Sequence, residues 1–357
     1  MSSIRVAATL ALATATLVTP LLAGCQKDTS VPTPEASGRQ GGRYPVGSAP
    51  APPNNPKELG WVRWHRNYDE ASALSARTGK PLFLLFQEVP GCATCVGFGE
   101  TVLAHPLLVE AIEAEFVPVA IHNNKPGHDR AVLERFREPT WNNPVVRFVD
   151  TEGEDLIGRA DGVWSTHGIA VRMVKALAAA DREVPEYLSW VVQETTPTPV
   201  RATFAMHCYW SGEACLGDIP GVVATRAGWL GGREVVEVEF DPSALTEAEL
   251  REMGQARGCG DFVAKAGVAR PASDSDRKYH LGRSRWRYVP LTPWQASRVN
   301  AALGRSQDPM KWVSPRQRDL YQRIAAATDE ALGGLERPEG LRELAAYQRE
   351  LIARLPP

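Results

Sequence analysis

An α/β chain with two folded domains is the architecture this sequence predicts, on three observations. A continuous apolar run of strand length, Pro81-Leu-Phe-Leu-Leu-Phe86, leads into Gly91-Cys92-Ala93-Thr94-Cys95. Such a run suits a strand buried on both faces that feeds a helix. A second region, Ala202 to Asp241, sets Cys208 between a short β-type run and the aromatic pair Tyr209 and Trp210, with a further strand opening near Glu234. Between the two, Thr196-Pro-Thr-Pro199 makes a natural joint.

Taken in order, Asn67 can cap a helix running to about Thr78, with Gly79 as its stop. The Cys-x-x-Cys that follows the apolar strand places Cys92 at a helix N-terminus, where free amides and the helix dipole favour a thiolate. A zinc site would need a second such pair or a histidine pair at ligand spacing. Neither follows, so Cys92 and Cys95 read as a redox dithiol and no metal is expected. Residues 97–116 predict helix, with His105-Pro106 opening its second part, and Phe116 to Ile121 predict a strand. Pro144 stands at the entry to another strand, before the turn at 150–155, and the helical stretch Val171 to Ala180 finishes the first domain.

In the second domain a helix is expected over Thr246 to Arg257. Cys215 lies two helical turns beyond Cys208, ~10 Å along the axis, too far for a disulfide without movement. Cys215 and Cys259 are therefore open to two readings: either resolves an oxidised Cys208, or the two pair as a structural bridge. Ser314-Pro315-Arg316-Gln317 has the capping-box pattern with Pro at N1. Helices near 315–332 and 338–354 would form a hairpin that serves packing only.

Acidic and basic residues are interspersed and the net charge is −2, so nucleic acid is not an expected partner, and no cofactor is implied. The first 25 residues carry Arg5 and then the apolar run Val6 to Ala23, closed by Leu22-Ala23-Gly24-Cys25. That ending resembles a bacterial lipobox, which implies lipid attachment at Cys25 and anchoring to a membrane of the cell envelope, facing the periplasm or outer membrane. Residues 26–58, rich in Pro, Gly, Ser and Ala, read as a disordered tether. Thiols outside the cytoplasm tend to be paired or redox-active, and five cysteines remain beyond Cys25. That odd number points to a working thiol.

The order of the first domain, with Pro144 facing the dithiol as a cis-proline, resembles the thioredoxin fold. Its Val89-Pro-Gly-Cys-Ala-Thr-Cys95 string resembles a bacterial thioredoxin-like group with a VPGUxxT signature, in which selenocysteine occupies the place of Cys92. Ala202 to Asp241 resembles the A-type peptide-methionine sulfoxide reductases: a GCFW-like motif, a PGV segment ending in GYxGG, and an E-V-V-x-V-x-F-D strand. The resemblance implies a thioredoxin-like domain over 59–197, an α+β reductase-like domain with a ferredoxin-like core over 198–312, and a helical tail over 313–357.

The resemblance further implies peptide-methionine (S)-S-oxide reduction, with Cys208 as nucleophile and Glu234 as the acid that protonates the sulfoxide oxygen. Tyr209, Trp210 and Trp229 would line the methyl pocket, Trp229 standing where the family has tyrosine. Asp274 and Tyr279 match the two ends of the family's D-x-G-T-Q-Y, as supporting acid and phenol donor. The implied partners are oxidised envelope proteins or peptides and an upstream thiol reductant. The alternative is a thiol-disulfide oxidoreductase whose second domain only binds substrate. One departure bears on this choice: the family's long loop before the catalytic glutamate is reduced to Gly232-Arg233, which opens the pocket and could swing Glu234 away.

Overall fold

The structure is a computed structural model that describes residues 50–264, 267–338 and 341–356. Cys25, its apolar leader and the tether up to residue 49 lie outside the described residues. The last part of the expected tether is bonded to the fold. Asn55 Nδ2 donates to the carbonyls of Gly60 (3.0 Å) and Val62 (2.8 Å), and Glu58 is buried.

Helix α1 (Tyr68–Thr78) begins where Asn67 Oδ1 accepts the amides of Asp69 and Glu70, and it ends at Gly79, whose φ of 66° suits a residue without Cβ. Strand β1 (Leu82–Gln87) is buried along its whole length. Its side chains alternate between two cores: Phe83 and Leu85 enter one, and Leu82, Leu84 and Phe86 the other. Helices α2 (Ala93–Thr101) and α3 (Pro106–Glu115) follow, then β2 (Val117–His122), α4 (His128–Arg135), β3 (Val145–Val149), α5 (Thr166–Ala179) and α6 (Glu186–Glu194). The sheet runs β2-β1-β3, with β2 parallel and β3 antiparallel to the central strand.

The second sheet is built from β4 (Val200–Ala205), α7 (Tyr209–Leu216), β5 (Val222–Leu230), β6 (Arg233–Phe240), α8 (Glu247–Ala256) and β7 (Asp261–Phe262). This is a β-α-β-β-α-β order, in an antiparallel sheet β7-β4-β6-β5 with β8 (Arg270–Pro271) added at the β5 edge. Residues 231 and 232 form the β5–β6 turn. Leu230 pairs with Arg233, and both glycines have positive φ, 58° and 80°. The type I′ two-residue turn needs that at both central positions.

The C-terminal elements are α9 (Tyr279–Gly282), α10 (Pro293–Gly304), α11 (Pro315–Ala326), α12 (Asp329–Leu332) and α13 (Leu341–Arg354). The helix expected over 315–332 is broken at Ala327, which turns extended (ψ 154°) between α11 and α12. Nor is the tail a separate hairpin. Leu281, Trp286, Val289, Val299, Leu320 and Leu351 share one hydrophobic core with Val62, Phe98, Leu108 and Leu188 of the first domain. Trp294 on α10 stacks on Trp190 of α6 with ring centroids 5.4 Å apart. The α11 N-terminus is fixed by Glu110, whose Oε1 accepts the Arg316 amide at 3.0 Å.

Candidate active site: two thiol centres

The dithiol sits where β1 gives way to α2. Gly91 is required there: a Cβ would fall 2.3 Å from the Glu88 carbonyl oxygen and 2.7 Å from Cys95 Cβ. Cys92 is the N-cap of α2 and is exposed, whereas Cys95 is buried. Their sulfurs lie 3.7 Å apart as free thiols, and Cys95 Sγ donates to Asn143 Oδ1 at 2.8 Å. The Asn143–Pro144 bond is cis, as expected for Pro144.

The environment splits the pair. Backbone hydrogen bonding at Cys95, the largest influence, holds the Cys92 thiol below its ordinary value, while burial pushes Cys95 up to about 11. Near neutral pH, iodoacetamide is therefore expected to alkylate Cys92 well before Cys95. Peptide mapping of the reduced protein checks this, and preferential labelling of Cys95 would reverse the assignment. One donor atom each from Glu88, Cys92 and Cys95 lies within 4.8 Å of the others, a set that could hold a soft metal ion. Metal ligation needs both thiols deprotonated, and the raised Cys95 opposes it.

The second centre surrounds Cys208, the half-buried N-cap of α7. Glu234 reaches it despite the short turn. Its Oε2 accepts the amide of Tyr209 at 2.7 Å, and its carbonyl accepts the amide of Met206 at 2.8 Å. The carboxylate thus binds the first free N–H of the helix that carries the thiol, which satisfies an orphan donor and fixes its place. Trp229 lies directly across the β5–β6 ladder from Glu234, so the two side chains share a sheet face. The Tyr209 ring packs edge-on against Trp229, centroids 5.7 Å apart at 90°. Trp210 is covered by Tyr279, stacked at 3.8 Å, and Arg283 lies over the Tyr279 ring at 3.6 Å.

Two expectations are corrected. Asp274 does not support the site: its side chain is 90% exposed and pairs with Arg277. The acid that faces the centre is Asp276. Ser273 Oγ donates to Asp276 Oδ2 at 2.6 Å, and the Asp276 and Arg277 amides close a turn on the Ser273 carbonyl. That turn aims Asp276 at the Tyr209 hydroxyl. Ser273 chiefly, then Tyr209, holds the Asp276 carboxyl below its ordinary value, and burial followed by Asp276 raises Tyr209.

Cys215 and Cys259 are bonded to each other, with Cα atoms 5.5 Å apart, so the bridge reading applies and neither is a free resolving thiol. Helix α7 carries Cys215 to the turn after α8, where the Cys259 amide donates to Gly254 O at 2.8 Å. Among the described residues the free cysteines are Cys92, Cys95 and Cys208.

Sequence reasoning missed Asp276 and Lys278. Lys278 takes up a left-handed conformation (φ 49°), and its Nζ lies 2.5 Å from Oε1 of Glu213, whose side chain is fully buried on α7. Glu213 Oε2 also accepts the Lys278 amide at 2.8 Å, and Thr225 Oγ1 donates to Oε1 at 3.2 Å. This buried pair ties the 273–279 loop to the helix that bears Cys208. The one available signal was Glu213 itself, a charge five residues after Cys208 on an otherwise apolar helix.

Comparison with known proteins agrees with both halves. Residues 63–151 match the family model Thioredoxin_7, described as thioredoxin-like. A peptide methionine sulfoxide reductase MsrA from Enterobacter sp. (strain 638) is 28% identical over 144 residues, which cover 36% of this chain and 62% of that protein. The MsrA of Geobacter metallireducens is 36% identical over 74 residues, 16% of this chain and 46% of the relative. A thioredoxin from Thermus thermophilus superposes with a TM-score of 0.29 at 24% identity, covering 33% of this chain and 89% of that one. The chain spans less than two thirds of the length of these curated relatives. The fold is a thioredoxin-like domain followed by an MsrA-like α+β region with C-terminal helices.

Proposed function

We propose that this protein reduces methionine sulfoxide in proteins of the cell envelope, with the fused dithiol as its electron carrier. The observation that carries the reading is the Glu234 carboxylate seated on the amide next to Cys208, within the aromatic lining of Tyr209, Trp210 and Trp229. The Cys208 sulfur attacks the sulfoxide sulfur while the oxygen takes a proton from Glu234, whose Oε1 is left to carry it because Oε2 holds the helix amide. The hydroxyl then passes from the methionine sulfur to the Cys208 sulfur as the S–O bond and the transient S–S bond break. The thiol proton replaces the one Glu234 gave, so methionine leaves and Cys208 is left as a sulfenic acid.

With Cys215 and Cys259 paired, resolution falls to the exposed Cys92. Its thiol condenses with the sulfenic acid, forming a Cys92–Cys208 disulfide and water. Cys95 then attacks Cys92 Sγ, freeing the Cys208 thiol and leaving a Cys92–Cys95 disulfide for an upstream thiol reductant. The low-lying thiol at Cys92 suits this role, and it stands where the VPGUxxT group carries selenocysteine. The Cys215→Ser/Cys259→Ser double variant should keep its turnover with a chemical dithiol. Loss of turnover in a folded double variant would restore those cysteines as resolvers.

The test is an assay of the protein lacking residues 1–25 on both methionine sulfoxide epimers, with a dithiol as reductant. Reduction of the S epimer is expected. Inactivity on both, with disulfide reductase activity intact, would favour the thiol-disulfide oxidoreductase reading. Lipid attachment at Cys25 would hold the enzyme at the membrane, beside substrates exposed to oxidants. Cys25→Ser is expected to move it to the soluble fraction with sulfoxide reduction unchanged, and continued pelleting with membranes would count against the anchor.

A further inference from the structure

Resting on the reductase reading, we infer that the Tyr209 hydroxyl is the second hydrogen-bond donor to the sulfoxide oxygen, with Asp276 as its positioning residue. Tyr209 directly follows the nucleophile, and its own amide is bound by the acid Glu234. Backbone and side chain therefore join the thiol, the acid and the phenol in one unit. The ring is buried and braced edge-on by Trp229, so its direction is set by packing. The hydroxyl end meets the Asp276 carboxylate, and both Glu234 and Cys208 lie close enough for their charges to act on it.

Trp229, across the ladder from Glu234, has no hydroxyl to offer the sulfoxide oxygen. Tyr279 has a hydroxyl, but its ring is stacked on Trp210 and in contact with the Arg283 guanidinium. That placement makes Tyr279 a cover for the indole. Tyr209 therefore supplies the phenol that Trp229 lacks. Burial, and then the Asp276 charge, raise the phenol above its ordinary value, so it keeps its proton near neutral pH. When substrate enters, that O–H turns from Asp276 to the sulfoxide oxygen and stabilises the charge developing as the S–O bond breaks. Glu234 delivers the proton, so no further reactant is needed.

The loop is built to hold Asp276 in place. Ser273 closes the turn before it, and the Lys278–Glu213 pair anchors the chain after it.

The experiment is single-turnover formation of methionine by reduced enzyme, read against sulfoxide concentration, for Tyr209→Phe, Asp276→Ala, Asp276→Asn and Tyr279→Phe. Tyr209→Phe keeps the ring and its packing. It should lower the chemical step about 10²-fold, the scale of losing one such donor, with substrate affinity little changed. Asp276→Ala should fall in the same direction by less, and Asp276→Asn, which still offers an acceptor, should recover most of the rate. Tyr279→Phe keeps the stack and should lose less than Tyr209→Phe; a larger loss at Tyr279→Phe would return the donor role to Tyr279 and overturn this inference. A Tyr209→Phe enzyme as fast as an active wild type overturns this inference alone. A wild type inactive on both epimers overturns the reductase reading and the inference with it.

Discussion

Cys208→Ser should abolish sulfoxide reduction, and Glu234→Gln should slow it by roughly 10²–10⁴-fold, the usual range for losing a general acid. A serine hydroxyl at its free pKa is a poor nucleophile toward sulfur, so no slow residual rate is expected from the first variant. The second retains an acceptor oxygen for the Tyr209 amide, now bound to Glu234 Oε2 at 2.7 Å, so the α7 N-terminus keeps its partner. The fold and substrate affinity should therefore change little, because the carboxyl proton matters in the transition state rather than in binding. Single-turnover kinetics on the reduced enzyme separates the two parameters. A Glu234→Gln enzyme with wild-type rate would reduce Glu234 to a helix cap and remove the main support for the catalytic reading.

Lys278→Met is expected to cost about 3–5 kcal/mol of stability, the scale for stripping one partner from a buried ion pair. Glu213 would be left fully buried with only the Lys278 amide and the Thr225 hydroxyl to satisfy it. Against a total of roughly 5–15 kcal/mol for a folded domain, such a loss should move the urea midpoint strongly. The Glu213→Leu/Lys278→Met double variant removes both charges and should recover much of that loss. It should remain slow as a reductase, because the 273–279 loop loses its anchor to α7. Equal destabilisation of the single and double variants would show that packing, not the stranded carboxylate, sets the effect.

What was legible in the sequence is whatever local chemistry encodes. The Leu82–Gln87 run reads as a central strand because both faces are buried, and the Asn67 and Ser314 caps read because each is bonded within three residues of itself. Cys92 at a helix start follows from order along the chain, and the cis bond at Pro144 from the resemblance to the thioredoxin fold. What failed to read depends on direction or on distance. Motif spacing pointed to Asp274, yet the Ser273 turn and the left-handed Lys278 decide which carboxylate faces inward. Cys215 and Cys259 are 44 residues apart, and no count along the chain reveals that α7 and the end of α8 bring them together. The apparent tail carries the amphipathic pattern of any packing helix, and that pattern does not name its partner.

The partner it found has a consequence for how the protein is made. Since Leu320, Leu344 and Leu351 complete the core begun by Val62 and Phe98, the first half of a nascent chain emerges with an apolar face that nothing can yet cover. Arg349 even reaches back to the carbonyl of Pro53, 296 residues earlier. A first half folded alone would keep that face open until α13 packs on it, and contacts of such long range form slowly. A stop codon near residue 312 would spare every cysteine and every residue placed at either thiol centre, and still deliver a chain with an open, aggregation-prone first domain.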